Sequence, residues 1–441
     1  MVAGCAPVCA GATCADSFDL SDLRGLVSTS GSFDAESSTG RIVGQADDGR
    51  ARSLAAVPSW QQRFTGDLPP SSLLVGVPEG SRVQLYGPSF YLGTEDVSLA
   101  GEPGEAFGAA VSVRGQLVVG APRAGAGPSL PSVGRVYVFP FATPSIGSSI
   151  ADATTVVTGD SAADGLGTTV AACGDMDGDG VADALAGAPD ALNLAGRVVR
   201  VSGGRGDVAA GSLPAWEGTA AGDLLGAALG CGDFDGDGLE DAVIGAPYAD
   251  GAAGSGVGVV WVQGLNGALF RLEGSAENAY FGASVAVGDV DADGADDLIV
   301  GATGRPSASA ASDDLTGAVF VYLGATLRAG AGGQPADAQL VGDDPRARFG
   351  YVVALGDGDG DGLADLLVGA PGESTVAAQA GATYRMAGPF GGTSGDIRGP
   401  SDAALEVYGT RAYQHAGENA VLVDLNAADG DDVVFTTREQ Q

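Results

Sequence analysis

The sequence predicts an all-β fold: a seven-bladed β-propeller of four-stranded blades, with the seventh blade closed by both termini. Three observations predict it. A tract ending in Gly-Ala-Pro or a close relative recurs along the chain, a Phe-Gly or Leu-Gly pair precedes most copies, and an alternating strand follows. The composition agrees. Of 441 residues, 75 are glycine, about one in six against an ordinary share of about 7%. No Gly-X-Y period runs through them, so a collagen helix is excluded.

The tract stands as LLVGVP (73–78), LVVGAP (117–122), ALAGAP (184–189), AVIGAP (242–247), LIVGAT (298–303) and LLVGAP (366–371). The pairs before it are Phe107-Gly108, Leu166-Gly167, Leu225-Gly226, Phe281-Gly282 and Phe349-Gly350. A glycine and a third strand follow, as in GRVYVF (134–139), GRVVRV (196–201), GVVWV (258–262) and GAVFVY (317–322). A fourth strand such as ALFRLEG (268–274) or AQLVG (338–342) ends the unit. Four short strands every 56–68 residues make a propeller blade, which must stack on its neighbours to bury both faces. The chain ends complete the ring in this reading. AVLVDLNAADGDDVVFT near the C-terminus reads as strands one and two of blade 7. GRIVGQ (40–45) and RSLAAV (52–57) read as its strands three and four, so blade 1 runs over roughly 58–101. The propeller then spans 40–441, and residues 1–39 form an exported, disordered leader or tether.

The formal net charge is −35, which argues against nucleic acid and anionic membrane surfaces as partners. No apolar run is long enough to span a membrane as a helix. Sixteen of the 56 acidic residues sit in four short loops between strands one and two. These place Asp175, Asp177, Asp179 and Asp183 in blade 3, and Asp233, Asp235, Asp237 and Asp241 in blade 4. They place Asp289, Asp291, Asp293 and Asp297 in blade 5, and Asp357, Asp359, Asp361 and Asp365 in blade 6.

The spacing Asp-x-Asp-x-Asp-Gly-x-x-Asp has a physical cause. Calcium takes six to eight oxygens, and carboxylates at positions 1, 3 and 5 of a curling loop converge on one point. Glycine at position 6 permits the sharp turn. The backbone carbonyl at position 7 (Val181, Leu239, Ala295, Leu363) and the Asp at position 9 close the cage. An EF-hand is rejected, because position 12 is Ala186, Ile244, Val300 or Val368 instead of Glu, and the flanks are strands. About four calcium ions are expected. Zinc and copper are disfavoured, since the loops carry no thiolate or imidazole. A degenerate copy, Asp424, Asn426, Asp429 and Asp432 in blade 7, is a weaker candidate, and the equivalents, Asp67-Leu-Pro-Pro in blade 1 and Arg114-Gly-Gln116 in blade 2, should bind no metal.

Phe-Gly, Asp-x-Asp-x-Asp-Gly and Gly-Ala-Pro in this order resemble the FG-GAP repeat, and residues 40–441 resemble the propeller of integrin α subunits. The resemblance implies calcium on one rim, bracing the blades, and a protein or glycan ligand on the opposite face or the side. It implies a non-catalytic adhesion module, secreted or at a cell surface. A structural module of an envelope complex, or the non-catalytic part of a hydrolase such as a phospholipase, are the alternatives. Val2-Ala3-Gly4-Cys5 matches a bacterial lipobox, so Cys5 is a candidate for lipidation in a bacterial envelope.

Other features carry less. Cys173 and Cys231 lie two residues before the first loop Asp of blades 3 and 4; two buried free thiols are expected, with a disulfide as the alternative. Arg205-Gly206-Asp207 is an adhesion tripeptide of a length that chance supplies. The single histidine, His415, has no nucleophile motif beside it, and no enzyme is expected. Trp60, Trp216 and Trp261 read as packing residues. The stretches 123–133 and 304–316 read as tolerated loop length.

Overall fold

Apolar runs of five or six residues, with glycine at the fourth place of the tract, form the central strand of every complete sheet. A computed structural model describes residues 31–34, 53–57, 72–86, 97–125, 132–140, 149–265, 267–304, 315–330, 335–390, 396–423 and 431–436. Strand β1 (Gly31–Asp34) comes first. Blade 1 holds β2 (Ser53–Val57), β3 (Ser72–Val77), β4 (Arg82–Tyr86) and β5 (Val97–Ala100). Blade 2 holds β6 (Ala110–Val113), β7 (Gln116–Ala121), β8 (Arg135–Pro140) and β9 (Thr155–Thr158). Blade 3 holds β10 (Thr169–Ala172), β11 (Ala184–Ala188), β12 (Arg197–Val201) and, after the connecting strand β13 (Gly206–Ala209), β14 (Ala215–Glu217).

Blade 4 holds β15 (Ala228–Gly232), β16 (Asp241–Ala246), β17 (Val259–Gly264) and β18 (Gly267–Glu273). Blade 5 holds β19 (Phe281–Gly288), β20 (Asp297–Ala302), β21 (Ala318–Tyr322) and β22 (Ala338–Val341). Blade 6 holds β23 (Val352–Gly356), β24 (Asp365–Ala370), β25 (Ala382–Met386) and, after the connecting strand β26 (Asp396–Arg398), β27 (Leu405–Tyr408). The pair β28 (Ala420–Val423) and β29 (Asp432–Phe435) forms a further two-stranded sheet.

Among the described residues there are thus six sheets of four or five strands and one of two. Pairing within each blade is antiparallel. The innermost strands β2, β6, β10, β15, β19, β23 and β28 pack each against the next, and β28 packs against β2. Second strands such as β7, β16, β20 and β24 are buried at every residue, because neighbouring blades cover both faces.

One expectation is corrected. Residues 53–57 are not the fourth strand of a seventh blade; they are β2, the innermost strand of blade 1, antiparallel to β3. The reason is a contact. Ser53 Oγ donates to the Gly108 carbonyl of blade 2 at 2.8 Å, as Thr169 Oγ1 does to Gly226 at 2.6 Å and Ser284 Oγ to Gly350 at 2.8 Å. Ser53 therefore holds a first-strand register, and blade 1 begins there. The third strand expected at 40–45 lies outside the described residues, as do Trp60 and most of the two long loops.

Connecting strands cover sheet edges. β13, from blade 3, runs parallel to β9 of blade 2, and β26, from blade 6, runs parallel to β22 of blade 5. β1, from the stretch expected to be a tether, runs parallel to β27 of blade 6 in the same way. Each added strand occupies backbone donors and acceptors that an edge strand leaves open.

The recurring glycines explain one another. A Cβ built at Gly120 of blade 2 would overlap the Gly167 carbonyl of blade 3. The same holds for Gly76 against Gly108, Gly245 against Gly282, Gly301 against Gly350 and Gly369 against Gly417. The second glycine of each pair has a left-handed φ, +90° at Gly167, and Gly108, Gly167 and Gly350 also donate to the central-strand glycine of their own blades, Gly167 N–H to the Gly187 carbonyl at 2.9 Å. Gly120→Ala must push two blades apart. It should destabilise the fold by about 1–3 kcal/mol or more in urea unfolding, as overpacked cores do; an unchanged midpoint would contradict this contact.

Candidate metal centres

The four acidic loops lie at one end of the ring, in the hairpins joining first and second strands of blades 3 to 6. The carboxylate oxygens of Asp175, Asp177 and Asp183 lie within 4.8 Å of one another, as do those of Asp233, Asp235 and Asp241, those of Asp289, Asp291 and Asp297, and those of Asp357, Asp359 and Asp361. The fourth carboxylate of each loop stands outside its group. Asp179, Asp237 and Asp293 accept instead the N–H at position 7 of their own loops, from Val181, Leu239 and Ala295, at 2.8 Å each. Asp365 is taken by the Arg385 guanidinium at 2.6 Å.

Backbone geometry sets each loop. Position 6 is left-handed throughout, with φ of +81° at Gly180, +87° at Gly238, +85° at Gly294 and +86° at Gly362. Position 4 is left-handed too: glycine in three loops, but Ala292 (φ +64°) in blade 5, a placement that costs about 1 kcal/mol. Asp175 is the hub of its loop. Gly178 N–H donates to its Oδ1 at 2.7 Å and Gly180 N–H to its Oδ2 at 2.8 Å. Against its desolvation, these and other loop N–H groups hold its carboxyl below the usual range. Asp233 and Asp357 receive the same two donors, from Gly236 and Gly238 and from Gly360 and Gly362.

The Asp at position 9 opens the second strand and is buried: Asp183, Asp241, Asp297 and Asp365 are at most 2% exposed. Each accepts the N–H at position 2, from Met176, Phe234, Val290 and Gly358. Burial pushes Asp183 up to about 6 and Asp241 and Asp297 up to about 7, against the pull of those N–H donors. Burial also raises Asp365, opposed by the Gly388 N–H and Arg385. Two buried carboxylate oxygens, Asp177 Oδ1 and Asp359 Oδ1, have no hydrogen-bond partner among the described residues. Converging oxygen donors, buried acids and orphaned acceptors fit a hard divalent cation.

The weaker candidates Asp424, Asn426 and Asp429 lie outside the described residues, as do the Asp432 side chain and Cys5. Cys173 and Cys231 are joined as a disulfide with Cα atoms 5.6 Å apart, and so are not the two buried free thiols expected: the first strands of adjacent blades bring them within bonding reach. The tripeptide at 205–207 is not presented on a free loop: Gly206 and Asp207 pair with Thr155 and Val156. His415 Nδ1 lies 3.1 Å from the Pro371 carbonyl. Trp216 and Trp261 pack against the core of blades 3 and 4, with Arg271 over the Trp261 ring.

Residues 225–262, 281–322 and 349–384 match the FG-GAP repeat family. The chain is 33% identical over 215 residues to integrin alpha pat-2 of Caenorhabditis briggsae, covering 46% of this chain and 17% of that protein. It is 37% identical over 158 residues to integrin alpha-PS2 of Drosophila melanogaster, covering 33% and 10%, and 39% identical over 152 residues to integrin alpha-V of Gallus gallus, covering 33% and 14%. The matched part is therefore less than a fifth of each relative's length. Among solved structures the Dos1 propeller aligns over 83% of this chain and 74% of that one, at 8% identity and a TM-score of 0.43, a likeness too loose to bear on the fold.

A carboxyl raised by burial favours the fold fully below about pH 4, its unfolded pKa, and this contribution is lost as pH rises through the folded value. In chelator-treated protein, wild type should therefore lose stability relative to Asp241→Asn as pH rises from about 4 through about 7, in urea unfolding. A pH-independent difference would contradict the assigned burial.

Proposed function

We propose that this FG-GAP repeat chain, integrin α-like in its repeats, is a calcium-braced propeller that binds a protein or glycan partner at a cell surface or outside the cell. Four acidic loops at matching registers of consecutive blades carry the metal half of the reading. One calcium ion would sit in each, held by Asp175, Asp177, Asp179, Asp183 and the Val181 carbonyl in blade 3. The sets Asp233, Asp235, Asp237, Leu239, Asp241; Asp289, Asp291, Asp293, Ala295, Asp297; and Asp357, Asp359, Asp361, Leu363, Asp365 serve blades 4, 5 and 6. When bound, the ion supplies positive charge to carboxylates that burial otherwise disfavours. The position-9 acids anchor each site to its second strand, and the position-1 acids organise the loop backbone. In this reading the ions brace the ring, and the chain binds a partner and does not catalyse.

We also take the ring to have seven blades, the seventh shared by the two ends of the chain. The edge strand β1 supports this. It lies on blade 6 as β13 lies on blade 2, and it starts as far before β2 (31 to 53) as β13 starts before β15 (206 to 228). The Gly369 contact with Gly417 carries the glycine series one step beyond blade 6.

The binding half rests on the end of the ring opposite the acidic loops. Connections between second and third strands, and between blades, expose Tyr248, Tyr351 and Tyr413 there, together with Leu192, Leu194 and Val376. Tyrosines give large contact area at low entropic cost. Calcium-loaded protein should bind a member of a protein or glycan array, and replacing Tyr248, Tyr351 and Tyr413 by Ala should weaken that binding at least about tenfold. Equal binding by the variant would place the partner elsewhere. No array ligand alongside a co-purifying envelope complex would favour the structural-module reading.

A further inference from the structure

Position 8 of each acidic loop lies between two proposed ligands, the carbonyl at position 7 and the carboxylate at position 9. In blade 4 it is Glu240, and it does not face its own loop. Its Oε2 accepts the Gly174 N–H of blade 3 at 2.7 Å, and its own N–H donates to the Asp175 carbonyl at 2.9 Å. Asp175, the first ligand and hub of loop 3, is thus bracketed on both sides by one residue of the next blade. Glu240 is itself fixed, because the Arg114 guanidinium pairs with its Oε1. Arg114 comes from the blade 2 hairpin, where the acidic loop is missing.

The arrangement repeats. Asp296, at position 8 of blade 5, accepts the Asp233 N–H of blade 4 at 3.0 Å. Asp431, from the blade after blade 6, accepts the Asp357 N–H at 2.9 Å and donates its own N–H to the Asp357 carbonyl. Three of the four first ligands, Asp175, Asp233 and Asp357, are therefore gripped at the backbone by an acid of the following blade. The fourth is not. Position 8 of blade 6 is Ala364, which has no side-chain acceptor for the Asp289 N–H. Blades 5 and 6 meet near loop 5 through a backbone contact instead, Phe390 N–H to the Val290 carbonyl at 3.3 Å.

The mechanical consequence runs through rigid parts. A cation in loop 4 would fix positions 7 and 9, and position 9 is already tied to the Phe234 N–H and to the start of β16. Position 8 between them then has one orientation, and it holds the backbone on either side of Asp175. The Asp175 carboxylate in turn receives the N–H groups of Gly178 and Gly180, so its placement sets the whole of loop 3. The same path links loop 5 to loop 4 through Asp296 and the Asp233 hub.

We propose that Glu240 and Asp296 are positioning residues that join the cation sites of blades 3, 4 and 5 into one cooperative unit, and that the unit ends at blade 6 because Ala364 breaks the chain of latches. This rests on the metal reading above. Coupling of this kind is reciprocal: each site strengthens its neighbour by the same factor as the neighbour strengthens it.

The test is hydrogen exchange of the full chain during a calcium titration, followed peptide by peptide, so that each loop reports its own midpoint. Asp235→Asn cripples loop 4. It should raise the calcium midpoint for protection of loop 3 by about tenfold, within the ordinary range of coupling, and leave the loop 6 midpoint in place. In a Glu240→Ala background the same Asp235→Asn change should no longer move loop 3. The unmoved loop 6 midpoint separates loss of coupling from loss of folding. A gain-of-coupling variant guards against a Glu240→Ala protein that fails to fold. In Ala364→Asp, crippling loop 6 with Asp359→Asn should raise the loop 5 midpoint, which Asp359→Asn alone should not do. A loop 3 midpoint indifferent to Asp235→Asn, or shifted equally with and without Glu240, overturns the proposal. Absence of calcium-dependent protection in every loop overturns the metal reading, and the coupling with it.

Discussion

The structure depends on one close approach: the central-strand glycine of each blade against the carbonyl of the glycine that opens the next. A side chain at either place would separate the blades. A left-handed turn is needed at the second glycine, so no other residue adopts it as readily. Everything else on the inner wall follows from that spacing. First strands can pack side by side around the axis, hydroxyls such as Ser53 and Thr169 can reach the neighbouring carbonyl, and second strands become buried on both faces. The two glycine motifs that recur along the sequence are two halves of a single joint.

The acidic rim is a second girdle with a different physics. The glycine joints are steric and short-range. The loops instead gather carboxylates that repel one another and that burial disfavours, with two oxygens left without partners among the described residues. A rim of this kind is under electrostatic stress on its own and would relax if a cation entered. Arg385 and Arg200 relieve part of it from the third strands, Arg385 against Asp359 and Asp365, Arg200 against Asp177. Blade 2 answers differently. It has no acids in its hairpin, and Arg114 and Gln116 reach instead to Glu240 and to the Asp183 carbonyl.

Much of this was legible in the sequence. The repeat phase, the central strands, the loop register and the need for glycine at position 6 all follow from local pattern. Three things did not. RSLAAV reads as a strand of any rank, and its pairing with β3 and its contact with Gly108 of the next blade place it first in blade 1. The edge strand β1, Gly-Ser-Phe-Asp, has no repeat pattern of its own; its meaning comes from pairing on blade 6. The acids at position 8 have as partners backbone N–H groups of another blade, which no sequence period announces. The left-handed position 4 was signalled by glycine in three loops and hidden by Ala292 in the fourth.

The proposed brace of the ring is calcium held in the acidic rim. A thermal melt of the full chain, dialysed against chelator and then titrated with calcium, tests it most directly. A ligand that binds only the folded state stabilises by about 2.7 kcal/mol per site at a hundredfold excess over its Kd, so several sites should raise the midpoint by at least about 5 °C. An unchanged midpoint at millimolar calcium would contradict the account.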